Sequence, residues 1–452
     1  MLRSHPLIVL LVLVEFASGV LQGGFPILLP ELASSLHFGA GGQSLALGVE
    51  FLVAGVAVPL ASRLGDLFGH RRLLLATLAL TLLGSVATAL ARDLSVVLVG
   101  RALSGFLSCW LPLEFALLRD RLGQEHGGRA VGLLVGSLTL GSITGAVLRP
   151  GLWPMALLPA LALLTVWRWV PESRTRARGR LDWIGALLLS GGLGLLFSGL
   201  SGHPWLLIPG AALLALFVRQ ELRTPAPTLD VRMLVRRATA PVFGLSFLLG
   251  CALYGSQAPT LSFQAARPAE SGYGLGADAR LLGLLSLPAV LGALAGAVTA
   301  HRLARRFGPR AVLGCGFALS ATGYTLIALA HSAAWQFLAP SALAGYGAGL
   351  GLSLLPGLLM HRLPADQTAV GTGVYNTLKT LAGAAAGAVA AALLNSLLLR
   401  PGTPDQGAYV TVWAGCAALC ALGVPVALAL RAEPGGVAAG VVSPHPHPPT
   451  IA

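Results

Sequence analysis

Ser62-Arg63-Leu64-Gly65-Asp66-Leu67-Phe68-Gly69-His70-Arg71 is a short polar island between two long apolar runs, and the chain carries it twice. The second copy is His301-Arg302-Leu303-Ala304-Arg305-Arg306-Phe307-Gly308-Pro309-Arg310. It aligns without gaps, so that Arg, Leu, Phe, Gly and the final Arg coincide. Charge and glycine between apolar runs of about 20 residues mark a tight turn joining two membrane spans. Its recurrence marks an internal repeat, and parallel repeats of this kind set two related halves around a midplane site.

Outward from these two loops, the rest of the chain reads the same way. Nothing in the hydrocarbon core satisfies an open backbone, so each crossing needs about 20 mostly apolar residues in a helix. Fourteen spans are expected on that rule, near 7–30, 43–62, 73–91, 94–118, 130–149, 151–170, 183–202, 204–219, 239–264, 279–300, 311–331, 334–360, 369–399 and 409–430. The first is too long for a signal peptide and carries Glu15 in its middle, so it reads as a retained helix. Composition agrees: 55% of the 452 residues are hydrophobic and 10% charged, against roughly a quarter charged in a soluble protein. Disordered chains lack this aliphatic content.

The arginines set the expected orientation. With a cytoplasmic amino terminus, 23 of the 30 basic residues fall at or beside cytoplasmic loops. Arg92, Arg149, Arg267, Arg280 and Arg400 fall outside, and Arg101 and Lys379 lie within spans. An even number of spans returns the carboxyl terminus to the cytoplasm. The expected units are 1–170, a six-helix bundle; 171–238, an inserted helix pair with its loops; 239–431, a second six-helix bundle; and 432–452, a disordered Pro-rich tail.

Several functions are excluded. Lys379, the single lysine, follows Leu378 inside an apolar run, so no phosphate-cradling Gly-Lys-Ser/Thr loop exists and the chain carries no ATP-driven motor of that kind. Arginines scattered over short loops, with no aromatic-studded basic face, give no nucleic-acid surface. The net charge of +13 follows from the positive-inside bias. The five cysteines sit in apolar stretches and no histidine cluster lies at membrane depth, so neither metal nor cofactor is expected, and the protein is read as no enzyme.

The Leu64-Gly65-Asp66-x-x-Gly69-x-Arg71 loop resembles the signature loop of the major facilitator superfamily, and fourteen spans with a central pair resemble its drug:proton antiporter branch. Arg101-Ala102-Leu103-Ser104-Gly105 resembles the fourth-helix motif, and Gly132, Gly141 and Gly145 match the fifth-helix glycine spacing. Pro171-Glu172-Ser173, Leu181-Asp182-Trp183, Gly371-Thr372-Gly373, Asn376 and Leu381-Ala382-Gly383 are similar to further elements of that branch. Ser62, Leu67 and His70 depart from the family loop, Ala146 replaces a motif proline, and Leu21 stands where the first helix usually has an acid.

The resemblance implies that Gly65, Asp66, Gly69, Arg71 and Asp120 form a gating set on the cytoplasmic side, the carboxylates holding loop to helix by charge-assisted hydrogen bonds. Asp66 is otherwise a solvated loop charge. Gly132, Gly141 and Gly145 would let the fifth helix pack closely, since small residues allow backbones to approach, although spaced glycines also arise by chance among 58.

Ionisable residues inside spans are costly unless paired or wet, and there are five: Glu15, Glu50, Arg101, Glu114 and Lys379. Glu114 either snorkels to the cytoplasmic surface, about 6 Å away, or serves a function. Three carboxylates against two bases leave one in surplus, and Glu15, with no base at its depth, is the natural one to carry a proton. It lies six residues before Leu21, on another face of its helix. Depth arithmetic puts Glu50 within reach of either base, and the family's arrangement of the second helix beside the penultimate one favours Lys379, as a latch between the halves or as a static pair that only offsets the cost of burial.

The expectation is an all-α membrane protein of fourteen transmembrane helices, two six-helix bundles of the major facilitator fold with an inserted pair. It would be a multi-pass protein of the cell membrane, a monomer by default, whose partners are a small-molecule substrate, protons and the lipid bilayer. Proton-coupled export of amphipathic, drug-like molecules is the activity that the resemblance implies. An importer, an uncoupled facilitator and a non-transporting sensor or scaffold are the alternatives.

Overall fold

A computed structural model describes residues 6–148, 151–173, 182–224, 231–363, 368–400 and 402–430. The expected tail at 432–452 lies outside the described residues, as do 174–181 of the loop before the inserted pair.

The first half contains α1 (Pro6–Ser35), α2 (Ala40–Phe68), α3 (His70–Ala89), α4 (Leu94–Ser104) with a 3-10 turn after it, α5 (Trp110–Leu148) and α6 (Leu152–Trp169). Next come α7 (Trp183–Leu200) and α8 (Leu207–Arg223), then a short α9 (Arg232–Val235). The second half contains α10 (Ala240–Gly255), α11 (Gln257–Ala265), α12 (Pro268–Ser271), α13 (Ala279–Phe307), α14 (Pro309–Leu329), α15 (Trp335–Arg362), α16 (Thr368–Ser396) and α17 (Gln406–Leu428). A small hairpin pairs Leu398–Arg400 with Thr403–Pro404.

The scarce acids start helices. Asp93, Asp182, Asp278 and Asp405 each cap α4, α7, α13 and α17, accepting from the amides of Val96, Gly185, Leu281 and Gly407 at 2.7–3.0 Å. Each satisfies an amide that the helix start leaves open.

Thirteen described helices are long and apolar enough to cross a bilayer, so the expected fourteen are not reached by that measure. The shortfall is the span expected at 130–149, which is present as the shorter apolar stretch Gly132–Leu148 at the end of α5. The 39 residues of α5 would extend about 58 Å if straight, nearly twice the hydrocarbon thickness. Its two ends run in opposite directions. The run from Arg101 of α4 to Glu114 near the start of α5 passes from Phe25 to Glu15, antiparallel to α1, whereas at the far end of α5 Ser137 meets Val12 and Gly145 meets Val20, parallel to it.

Helices α1–α6 pack around one core that includes Leu11, Phe25, Leu74, Trp110 and Val166 and reaches Leu261 of α11 and Leu282 of α13, and most of the second half packs around another that includes Phe243, Phe317, Leu355 and Tyr375. Large apolar side chains cover the outside: Leu187, Ile208 and Leu329 are more than 70% exposed, as lipid-facing residues must be.

The halves meet along α2 and α16, which run antiparallel. Gly41 faces Asn395, Gly48 faces Gly387 and Gly55 faces Leu381. The three α2 glycines are spaced by seven, close to two helical turns (about 7.2 residues), and so line one face. A Cβ on Gly387 would lie 3.2 Å from the Gly48 Cα, and one on Gly48 would lie 2.9 Å from the Phe197 ring of α7. This seam occupies the end opposite the Asp66 loop.

Candidate functional site

The Asp66 and Gly308 loops share their backbone as well as their letters. Gly69 (φ 110°, ψ 133°) ends α2 and starts α3, and Gly308 (φ 83°, ψ 148°) ends α13 and starts α14. Each donates its amide to the carbonyl four residues back, Gly65 at 2.8 Å and Ala304 at 2.9 Å. The left-handed φ explains why glycine recurs at the aligned position.

The residues expected to gate lie at this end. Asp66 Oδ1 lies 3.2 Å from His70 Nε2. Arg71 turns toward α6, donating to the carbonyls of Val166 at 3.4 Å and Trp167 at 2.6 Å. Asp120 is half-buried on α5 and has an interaction of its own. Sequence reasoning missed the residue that organises this corner, Glu172. Its Oε1 accepts from the amides of Arg71 and Ser173, both at 2.9 Å, and the Ser173 hydroxyl accepts from the His70 amide at 3.3 Å. Because α3 starts directly after Gly69, its first amides lack helical partners, and a carboxylate suits the positive end of the helix. Arg121 anchors the same segment by donating to the Glu172 carbonyl. The signal was present in Pro171-Glu172-Ser173 but carried no mechanism.

The fifth-span glycines differ among themselves. Gly132 is exposed, and a Cβ there would meet nothing. Gly141 and Gly145 press on the Phe16 and Val20 carbonyls of α1, while Gly19 and Gly23 of α1 press back on the Leu138 and Ser142 carbonyls. The seam is reciprocal, and a Gly-x-x-x-Gly pair on α1 would have signalled it.

The deep charges sort into three groups. Arg101 and Glu50 form an ion pair, 6% and 9% exposed, with the guanidinium carbon 3.6 Å from the Phe25 ring centroid. This corrects the expectation that Lys379 would be the partner of Glu50. Lys379 lies on the α10 side of its helix, its carbonyl against Gly250, while its neighbours Thr380 and Leu381 face Gly55 of α2. Its ammonium sits 5.5 Å over the Tyr375 ring, within reach of the Tyr254 hydroxyl. Glu15 and Glu114 face each other, 1% and 0% exposed, with Ser18 beside Glu15. Glu114 therefore does not snorkel. Helix rotation buries it against α1.

Two helical bundles meeting along a small-residue seam, with paired and unpaired charges at membrane depth, define the architecture of a secondary transporter. The Major Facilitator Superfamily model matches residues 11–387 and 245–445, and the chain belongs to that family. It is 29% identical over 387 residues to a multidrug resistance protein B homolog of Mycobacterium tuberculosis (strain ATCC 25618 / H37Rv), covering 77% of this chain and 67% of the relative. It is 27% identical over 371 residues to the uridine/deoxyuridine transporter of Lactococcus lactis subsp. cremoris (strain MG1363), covering 75% and 76%. The crystal structure of a POT family transporter with a bound thioalcohol-conjugated peptide shares the fold, with a TM-score of 0.70 at 14% identity over 93% of this chain and 95% of that one. The chain is a multi-pass membrane transporter for small molecules and no enzyme.

Proposed function

We propose that the chain exports small amphipathic molecules across the cell membrane in exchange for protons, by rocking of its two bundles. The carrying observation is the pair Glu15–Glu114. Two neighbouring carboxyl groups, buried and with no base beside them among the described residues, cannot both stay charged, so the pair holds a proton to release when access changes. The multidrug resistance relative supports efflux.

In this reading the Asp66 loop is cytoplasmic, as its arginines require, and both termini share that side. The reversal within α5 supports an even number of crossings. With the Asp66 loop inside, the α2–α16 seam lies at the outer end, and this reading takes that contact as the outer closure. Asp66, Arg71 and Asp120 would regroup against the second bundle when the inner end closes.

The uridine/deoxyuridine transporter relative supports a second reading, a nucleoside carrier. Proteoliposomes with an imposed pH gradient decide between them. Gradient-dependent movement of dye-like amphipaths is expected. Movement of uridine alone, indifferent to the gradient, would overturn the exporter reading.

A further inference from the structure

Lys379 stands at mid-depth, 11 residues into α16, without a carboxylate partner among the described residues. Glu50 is taken by Arg101, and Glu15 and Glu114 face each other nearer the loop end. An ammonium at this depth is costly unless an anion or water reaches it. Lys379 is only half-buried, so part of its side chain stays open to water.

The surrounding groups show which chemistry is missing. Tyr375, one turn before Lys379 on the same face, is 2% exposed, and its hydroxyl has no hydrogen-bond partner. Lys379 can only donate. Tyr254, from α10, closes the third side. An acceptor bearing negative charge would satisfy the ammonium and the Tyr375 hydroxyl together, whereas a cation or a neutral donor would leave the ammonium without an acceptor. Beside them the Phe51 ring of α2 lies 4.4 Å from the Tyr254 ring, across the seam between the halves. An apolar body lying against Phe51 while its anionic group rests on Lys379 would touch both bundles.

We infer that Lys379, Tyr375 and Tyr254 form an anion subsite of the substrate path, taking a carboxylate or similar monoanionic group on a molecule with an aromatic body. The inference rests on the transporter reading for the site's place on the path. Its test needs no gradient, so the two fail separately.

The test is calorimetric titration of the full chain in phosphatidylcholine nanodiscs with three probes sharing one ring: 2-naphthoate, 2-naphthamide and 2-naphthyltrimethylammonium. Naphthoate should bind about tenfold or more tighter than the amide, the scale of one added charge-assisted contact. Lys379→Gln should abolish that preference, and Lys379→Arg should keep most of it. Tyr375→Phe, which leaves the charge in place, should weaken naphthoate several-fold and spare the amide. It carries the test if Lys379→Gln does not fold. Equal binding of naphthoate and amide, binding of none of the three, or a preference surviving Lys379→Gln would overturn the subsite. Sulfate competing as well as naphthoate would overturn its amphipathic specificity. Loss of the naphthoate preference alongside proton-driven movement of a cationic dye would sink the subsite and spare the exporter.

Discussion

Arg101 and Glu50 form an ion pair beneath the Phe25 ring, wholly within the first bundle. The contact joins α4, α2 and α1, which share one core, so it does not open when one bundle moves against the other. Its place beside Phe51, the residue that meets Tyr254 across the seam, makes it a fixed wall at the level where the halves touch.

Breaking that pair should therefore cost stability before it costs turnover. Glu50→Gln leaves the Arg101 charge buried without a partner, a loss of about 3–5 kcal/mol in comparable sites. The double variant Glu50→Gln/Arg101→Gln should recover most of the lost thermal stability in detergent, and Glu50→Gln/Lys379→Gln should recover none. Rescue by the Lys379 substitution would mean that the pairing changes partner in another state.

The bilayer crossings, the loop repeat and the five deep charges were legible because each is a break in an apolar run. The partners of those charges were not. Depth along a helix can be counted in residues, but rotation about the axis is set by packing, and it turned Lys379 toward α10 and Glu114 toward α1. Depth alone had admitted both Arg101 and Lys379 as partners for Glu50. Glu172 was hidden for another reason: its work is done on backbone amides of a helix a hundred residues away, and a cap of that kind leaves no spacing to read.

Glu172→Ala should loosen the start of α3. Loss of a side-chain cap typically costs about 1 kcal/mol, and the carboxylate's favourable charge at the helix start is lost with it. Gly69→Ala should cost at least as much, because φ is positive there and the new Cβ would lie 2.8 Å from the Glu172 carboxyl carbon. Thermal melts of the single and double variants should be non-additive, since both act on one corner. Strict additivity would separate the glycine from the cap.

The α2–α16 seam should govern closure at the end away from the Asp66 loop. Gly48→Leu would place a bulky side chain against Phe197 and beside Gly387. Cysteines introduced at Gly41 and Asn395, which are in contact, should crosslink readily in the otherwise native chain and poorly when Gly48→Leu is added. Crosslinking should be read as a gel shift after mild oxidation. Unchanged yield would show that the seam tolerates the side chain and does not set the closed state.

The proton reading makes the sharpest demand on Glu15 and Glu114. Both are buried and neither has a base beside it among the described residues, so an exchange of protons there has to pass through the pair. Glu114→Gln and Glu15→Gln each keep shape while removing one ionisable group. Neither should lower thermal stability, because the neutral amide stands in for a carboxyl that the pair already holds protonated. The double variant should lose accumulation driven by a pH gradient, by tenfold or more on the scale of a fully uncoupled carrier, where roughly 1.4 kcal/mol of lost driving force is already tenfold. It should still exchange labelled for unlabelled substrate when no gradient is imposed, since the cavity and seam are untouched. Parallel measurement of the two fluxes in the same proteoliposomes distinguishes coupling from damage. Loss of both fluxes would assign the pair to folding or binding, and a double variant that still accumulates substrate against its gradient would place the proton elsewhere.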